Sequence, residues 1–279
     1  MKKKTILWLG LALCLVVVGG ILFGVGMSML QWDFTKLSTI QYETNSHTVT
    51  EAYRDIRIET DTAQVVFVPS ESQVTTVTCY EAENAKHQVS VKDGTLVIEV
   101  IDSYTYIGIN IGGPKITVSI PKGNYGALSV SSTTGAVEIP GPYEFENVSI
   151  SVTTGMVTVS GITCTGDLTV DVTTGKAELT DISCENLRST GATGSIHLKN
   201  VIAAEQFYVE RDTGSISFED CDAASLSFHT DTGDISGSLL TGKVFTAHTD
   251  TGWVDVPNTA TGGRCEASTD TGSIRIFLS

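Results

Sequence analysis

Basic side chains are scarce in this sequence. Lys and Arg together account for 17 of 279 residues, against 32 Asp and Glu. All of the acidic residues but only 14 of the basic ones lie beyond residue 30, so that part of the chain carries a formal excess of 18 negative charges. Phosphate binding draws on clustered Lys and Arg, which argues against nucleic acid as a partner. Cations and basic surfaces stay compatible with such a charge, as does a solvated acidic surface that keeps a β-rich protein soluble. The sequence also lacks a Gly-x-Ser-x-Gly elbow, a His-Glu-x-x-His pair, a phosphate loop and any Cys-x-x-Cys pair, and its five histidines are scattered. Catalysis has no foothold in these motifs, so the expectation is a protein that is not an enzyme and carries no cofactor. Beyond the N-terminal segment no stretch of helix length repeats its apolar residues every 3.6 positions, which excludes a helical domain.

What is present begins with Lys2, Lys3 and Lys4, followed by an uncharged apolar run over residues 5–30. At ~1.5 Å rise per residue, a run of that length reaches across a ~30 Å hydrocarbon core. Three lysines ahead of the span favour a cytoplasmic N-terminus, which predicts a single-pass cell-membrane protein with everything after Gln31 extracytoplasmic. A cleaved signal peptide is the competing reading, but the run is longer than the ~7 to 15 apolar residues of a signal core. Residues 31–52 are polar and weakly periodic and read as a stalk.

The rest of the chain repeats. Glycines at Gly135, Gly155, Gly175, Gly194, Gly214, Gly233, Gly252 and Gly272 each follow a threonine, at spacings of 20, 20, 19, 20, 19, 19 and 20 residues. A fixed period of this size is the mark of a solenoid. Two residues after the glycines stand Val137, Val157, Ala177, Ile196, Ile216, Ile235, Val254 and Ile274. Seven residues before them stand Leu128, Val148, Leu168, Leu187, Phe207, Leu226, Phe245 and Cys265, with mostly polar residues between. Alternation of this kind gives a strand with one buried face on each side of a tight turn. A unit of 19 to 20 residues cannot enclose a core alone, whereas units stacked ~4.8 Å apart bury continuous apolar ladders. The prediction is an all-β protein: a single-stranded β-solenoid of about eight coils over 128–279, with successive turns directly over one another. Residues 53–127 would form an irregular β cap that includes a degenerate coil with Ala63 at the glycine position. Alternating segments at 74–79, 89–91, 96–101 and 107–111 supply further cap strands.

The segment Ile-Thr-Val-Ser-Ile-Pro at 116–121, then Leu-Ser-Val at 128–130 and the serial Thr-Thr-Gly and Asp-Thr-Gly turns, resembles the bacterial "putative adhesin" domain family of unknown function. Its members are often membrane-anchored and include the LiaG-like proteins of Gram-positive envelope-stress operons. The resemblance covers about residues 50–279 and brings no catalytic motif. It implies a β-solenoid at the cell surface and, as an alternative function, an accessory role in envelope-stress signalling.

Two columns of side chains qualify as candidate sites. Two residues before the glycines, the last four coils carry Asp212, Asp231, Asp250 and Asp270. Stacked carboxylates repel unless donors or a cation compensate, and oxygen ligands suit Ca²⁺, although capping of the turn amides accounts for the same residues. The glycine-rich nonapeptide of calcium-binding β-rolls is absent. Four residues before the glycines, Glu210, His229 and His248 would be neighbours with Zn²⁺-binding chemistry, or simply an exposed polar column. Cys164 and Cys184 fall nine residues after their glycines, within reach of a disulfide across adjacent coils. Tyr208 and Trp253 could stack on sugars. The reading that follows is a non-enzymatic, membrane-anchored display or adhesion element, with a cell-envelope protein or polysaccharide as ligand. Its alternatives are a scaffold that self-associates through the solenoid ends and, last, a glycan-active enzyme.

Overall fold

The computed structural model describes residues 3–34, 40–101 and 113–279. Helix α1 spans Lys3–Met29, and it belongs to a compact unit separate from the strands. From Trp8 to Met29 it is long and apolar enough to cross a membrane. The strands are β1 (Tyr42–Val49), β2 (Asp55–Thr60), β3 (Gln64–Ser70), β4 (Thr75–Ala82), β5 (His87–Lys92), β6 (Thr95–Val100) and β7 (Lys115–Pro121) in the N-terminal part. The repeats form β8 (Asn124–Cys164), β9 (Asp167–Thr190), β10 (Ile196–Thr213), β11 (Ile216–Cys221), β12 (Ser225–Thr232), β13 (Ile235–Leu239), β14 (Lys243–Thr251), β15 (Val254–Asp255), β16 (Gly263–Thr271) and β17 (Ile274–Leu278).

The coils stack in parallel and in register, with Leu168 beside Val148, Phe207 beside Leu187 and Leu226 beside Phe207. The apolar columns are sealed inside. Val137, Val157, Ala177, Ile196, Ile216, Ile235 and Ile274 all have zero exposure, whereas Val254 is exposed on the outermost coil. Gly237 interrupts one column, and the Phe218 ring occupies its space, stacked on Phe228 at 4.5 Å. The turn glycines have φ between +126° and +158°, a region that other residues rarely adopt. Glycine is also required because each turn rests on the next: a Cβ at Gly175 would lie 1.7 Å from the carbonyl oxygen of Gly155. A second corner, six residues past the glycine, is built by left-handed Asp181, Asn200 and Asp220. There the Asn200 amide donates to Asp181 at 2.8 Å.

The degenerate first coil is present. Ile56 pairs with Leu128 and Val65 with Val137, which sets Ala63 against Gly135. At both ends, however, the order of the stack departs from the order of the chain. Strand β12 pairs with β16, and β16 with β14, so Cys265 lies between Leu226 and Phe245. Likewise β17 lies between β13 and β15. The expectation of successive turns over one another therefore holds from Gly135 to Gly233 and fails for the last two. Gly272 rests on Gly233, and Gly252 rests on Gly272. The three turns carry the same Thr-Asp-Thr-Gly, so either order gives an equivalent ladder and the repeat alone cannot choose. Gly262 and Gly263 admit the inserted strand, because a Cβ at either would lie 1.9 to 2.0 Å from a neighbouring backbone oxygen. The N-terminal end mirrors this arrangement, with β2 between β6 and β8 and β3 between β7 and β8. Neither the first nor the last coil of the chain is an end of the stack.

Cysteine cross-linking tests this order. Ser227 is the register partner of Glu266, and Glu266 of Thr246. Neighbouring strands lie ~4.8 Å apart, within disulfide range, and alternate ones twice that. Mild oxidation of S227C/E266C is expected to give an intramolecular disulfide and S227C/T246C none. The opposite pattern would restore chain-order stacking.

The cap differs from the expectation in one respect. Residues 42–49, read as part of a stalk, form β1, which pairs antiparallel with β4 from Tyr42–Ala82 to Val49–Thr75. Its sequence is polar because it is an edge strand. In turn β4 pairs antiparallel with β7, and β5 with β6. The predicted strand at 107–111 lies outside the described residues. At the other end Leu278 continues the ladder opposite Leu239.

Candidate binding face

The outward side chains of β9, β10, β12, β16 and β14 stand in four rows, because alternate residues of each strand face solvent and the coils are in register. In the row four residues before the glycines the order is Asp171, Thr190, Glu210, His229, Ser268 and His248. Chain-order stacking makes His229 and His248 neighbours. Ser268 separates them, as a consequence of the inserted last coil. His229 Nδ1 hydrogen-bonds with Ser268 Oγ at 2.8 Å. In the next row the four aspartates do form one column, in the order Asp212, Asp231, Asp270 and Asp250, and all are exposed. Asp231 accepts from His229 Nε2 at 3.2 Å, and Asp250 from His248 Nε2 at 3.0 Å. Among the described residues, no three thiol, imidazole or carboxylate donors on this face come within 4.8 Å of one another.

The turn carbonyls are capped from inside. The threonine three residues before the glycine donates across the stack, Thr230 to Gly214 O at 3.0 Å, Thr269 to Gly233 O at 3.0 Å and Thr249 to Gly272 O at 2.8 Å. The turn amides are taken by main-chain carbonyls of the neighbouring coil, Gly214 N to Thr232 O at 2.8 Å and Gly233 N to Thr271 O at 2.9 Å, which leaves the aspartates facing solvent.

The most developed feature of the face is centred on Tyr208. The Arg188 guanidinium lies over its ring, 4.6 Å from the centroid, and its hydroxyl donates to Glu210 Oε2 at 2.7 Å. Partial burial comes first and the Glu210 hydrogen bond second in raising the pKa of this phenol, so it stays a protonated donor at neutral pH. The ring borders a depression of about 340 Å³, shared with Asp167, Asn186, Arg188 and Gln206. Asn186 donates to Asp167 at 2.8 Å, and Thr190 to Asp171. Tyr208 is a candidate on sequence grounds, whereas Arg188 emerges only from the structure. The available signal was the period itself, since the two occupy the same position in adjacent repeats. Trp253, the other aromatic candidate, stands on a separate turn with Arg275 over its ring at 4.9 Å. Along the glycine turns runs a shallow open groove of about 640 Å³, lined by Gly135, Gly155, Gly175 and Gly194 with Met156 and Lys176. Cys164 and Cys184 are both free. Burial pushes each thiol up to about 12.

A parallel β-solenoid with buried aliphatic ladders and a polar outward face is the class of protein that this geometry defines. The chain belongs to the Toastrack DUF4097 family, whose model matches residues 53–279. No curated protein matches it. Among solved structures, it is similar to a putative adhesin from Parabacteroides distasonis, at 9% identity over 86% of this chain and 98% of that one, with a TM-score of 0.49. It is also similar to a putative lipid binding protein from the same organism, at 18% identity, 84% and 97% coverage and a TM-score of 0.48. A putative adhesin from Bacteroides fragilis matches at 18% identity, 85% and 97% coverage and a TM-score of 0.40.

Proposed function

We propose that this protein is a non-enzymatic binding element, anchored in the cell membrane by α1 with its N-terminus in the cytoplasm, that presents the outward face of β9, β10, β12, β16 and β14 to an extended cell-surface polysaccharide. The observation that carries this reading is the Arg188–Tyr208–Glu210 arrangement beside its depression. An aromatic ring held by a guanidinium over one face and a hydrogen bond at its hydroxyl offers stacking area at little ordering cost, and the amides and carboxylates around it supply hydrogen bonds. The rows continue along the stack, where Ser227, Glu266 and Thr246 stand in register with Tyr208, so a polymer seated on the ring meets further polar side chains at the neighbouring coils. A formal excess of 18 negative charges beyond residue 30 disfavours a polyanion and makes a neutral or amino-substituted glycan the ligand class.

The test uses full-length protein in detergent micelles, co-sedimented with isolated neutral and anionic cell-wall polysaccharides. Y208A is expected to weaken binding to the neutral polymer by about tenfold or more, equivalent to about 1.4 kcal/mol, and R188A by less. Wild-type-like retention of both variants, or a preference for the polyanion, overturns the reading.

A further inference from the structure

Away from the outward face, the cap buries three chemically different donors against one another. Cys79 and Glu81 are alternate residues of β4, so both point inward, and His87 opens β5 beside them. Their exposures are 0%, 1% and 5%. The Cys79 sulfur, a Glu81 oxygen and a His87 ring nitrogen all lie within 4.8 Å of one another. A carboxylate is costly to bury and persists only with strong partners. Glu81 Oε2 accepts from both the His87 amide at 2.7 Å and His87 Nδ1 at 2.8 Å.

We propose that Cys79, Glu81 and His87 form a binding site for a divalent transition-metal ion, with zinc as the fitting occupant. Thiolate, imidazole and carboxylate together are a zinc donor set, whereas calcium and magnesium take oxygen ligands only. The surroundings match those of a ligating group. His87 Nε2, turned away from Glu81, meets the Thr60 hydroxyl at 3.0 Å, and Glu81 Oε1 accepts from Asn45 Nδ2 at 2.8 Å. Outer contacts of this kind fix ring orientation and ligand basicity in metal sites. Bonds of ~2.0 Å at tetrahedral angles set two light donors about 3.3 Å apart, so the ion replaces the Nδ1–Oε2 hydrogen bond with an opening of about half an ångström. Metal binding displaces the Cys79 thiol proton to solvent and shifts the imidazole proton of His87 from Nδ1 to Nε2, where the Thr60 hydroxyl accepts it. Thr60 ends β2, Asn45 lies in β1 and the donors in β4 and β5, so an ion here ties four cap strands together.

The experiment strips full-length protein in detergent micelles with a chelator and titrates it with Co²⁺, then Zn²⁺. Expected are one equivalent of cobalt with a thiolate-to-metal charge-transfer absorption, its loss on adding zinc, and a zinc-dependent rise in Tm of roughly 5 to 10 °C at a hundredfold excess over Kd. C79S is expected to lose the absorption while keeping a β-type circular dichroism spectrum, and C265S to keep both. Wild-type protein with neither a saturable cobalt absorption nor a zinc-dependent Tm shift overturns the proposal, as does a C79S variant that retains the absorption. In those outcomes Glu81 and His87 are a metal-free polar contact.

Discussion

Gly175→Ala is expected to cost at least about 4 kcal/mol and to leave the central coils unable to stack. Two causes combine. The backbone there has φ +142°, and the added Cβ would lie 1.7 Å from Gly155 O and 2.8 Å from Gly155 C. The obstructing atoms are main chain, so no rotamer change relieves the overlap. Gly135→Ala makes the informative comparison. Its φ is +152°, but its Cβ would meet Ala63 O at 2.7 Å, so strain remains with a milder overlap. Ala63 itself takes the glycine position without a positive φ. Urea denaturation followed by circular dichroism should rank wild type above G135A, and G135A well above G175A. Equal losses in the two variants would mean that backbone conformation alone matters and that the close stacking of turns does not.

How much of this was legible in the sequence follows from what each feature depends on. The Thr-Gly period and the columns Leu128 to Phe207 and Val137 to Ile235 depend only on local alternation, so the solenoid, its turns and the degenerate coil at Ala63 could be read directly. Stack order at the ends depends on connections, and three equivalent Thr-Asp-Thr-Gly turns conceal it, which is why His229 was assigned the wrong neighbour. Strand β1 escaped because Tyr-Glu-Thr-Asn-Ser-His-Thr-Val packs only one face and has no repeat to align with. The cluster of Cys79, Glu81 and His87 escaped for a related reason. Cys79 and Glu81 share a strand face, but His87 reaches them only through the cap pairing, which has no period.

Arg211→Ala is expected to lower stability by about 2 to 4 kcal/mol, whereas Arg211→Met stays within about 1 kcal/mol of wild type or exceeds it. Arg211 is an inward residue at 2% exposure, in a column that holds Val172 and Gly191 before it and Thr230 after it. Three departures from the repeat compensate one another here. Gly191 contributes no side chain, and a Cβ on it would lie 3.0 Å from Arg211 Nη1. Ser189 replaces the valine or isoleucine of earlier coils and accepts from Arg211 Nη2 at 3.1 Å, while Nη1 donates to Glu210 O at 2.8 Å. The guanidinium thus fills a gap left by the preceding coil and finds neutral acceptors there. Burial pushes its pKa down to about 10, against the pull of the Asp171 charge, so it remains a cation at neutral pH at a desolvation cost. Both substitutions remove the charge and leave the buried Ser189 hydroxyl without its Arg211 donor. Alanine opens a cavity besides, whereas methionine keeps most of the volume. For a domain of this size ~1 kcal/mol moves Tm by about 2 to 4 °C, so thermal melts of the two variants separate clearly. If R211M falls as far as R211A, the guanidinium's charge and its hydrogen bonds to Ser189 and Glu210 O hold the coil, and the space-filling account is wrong.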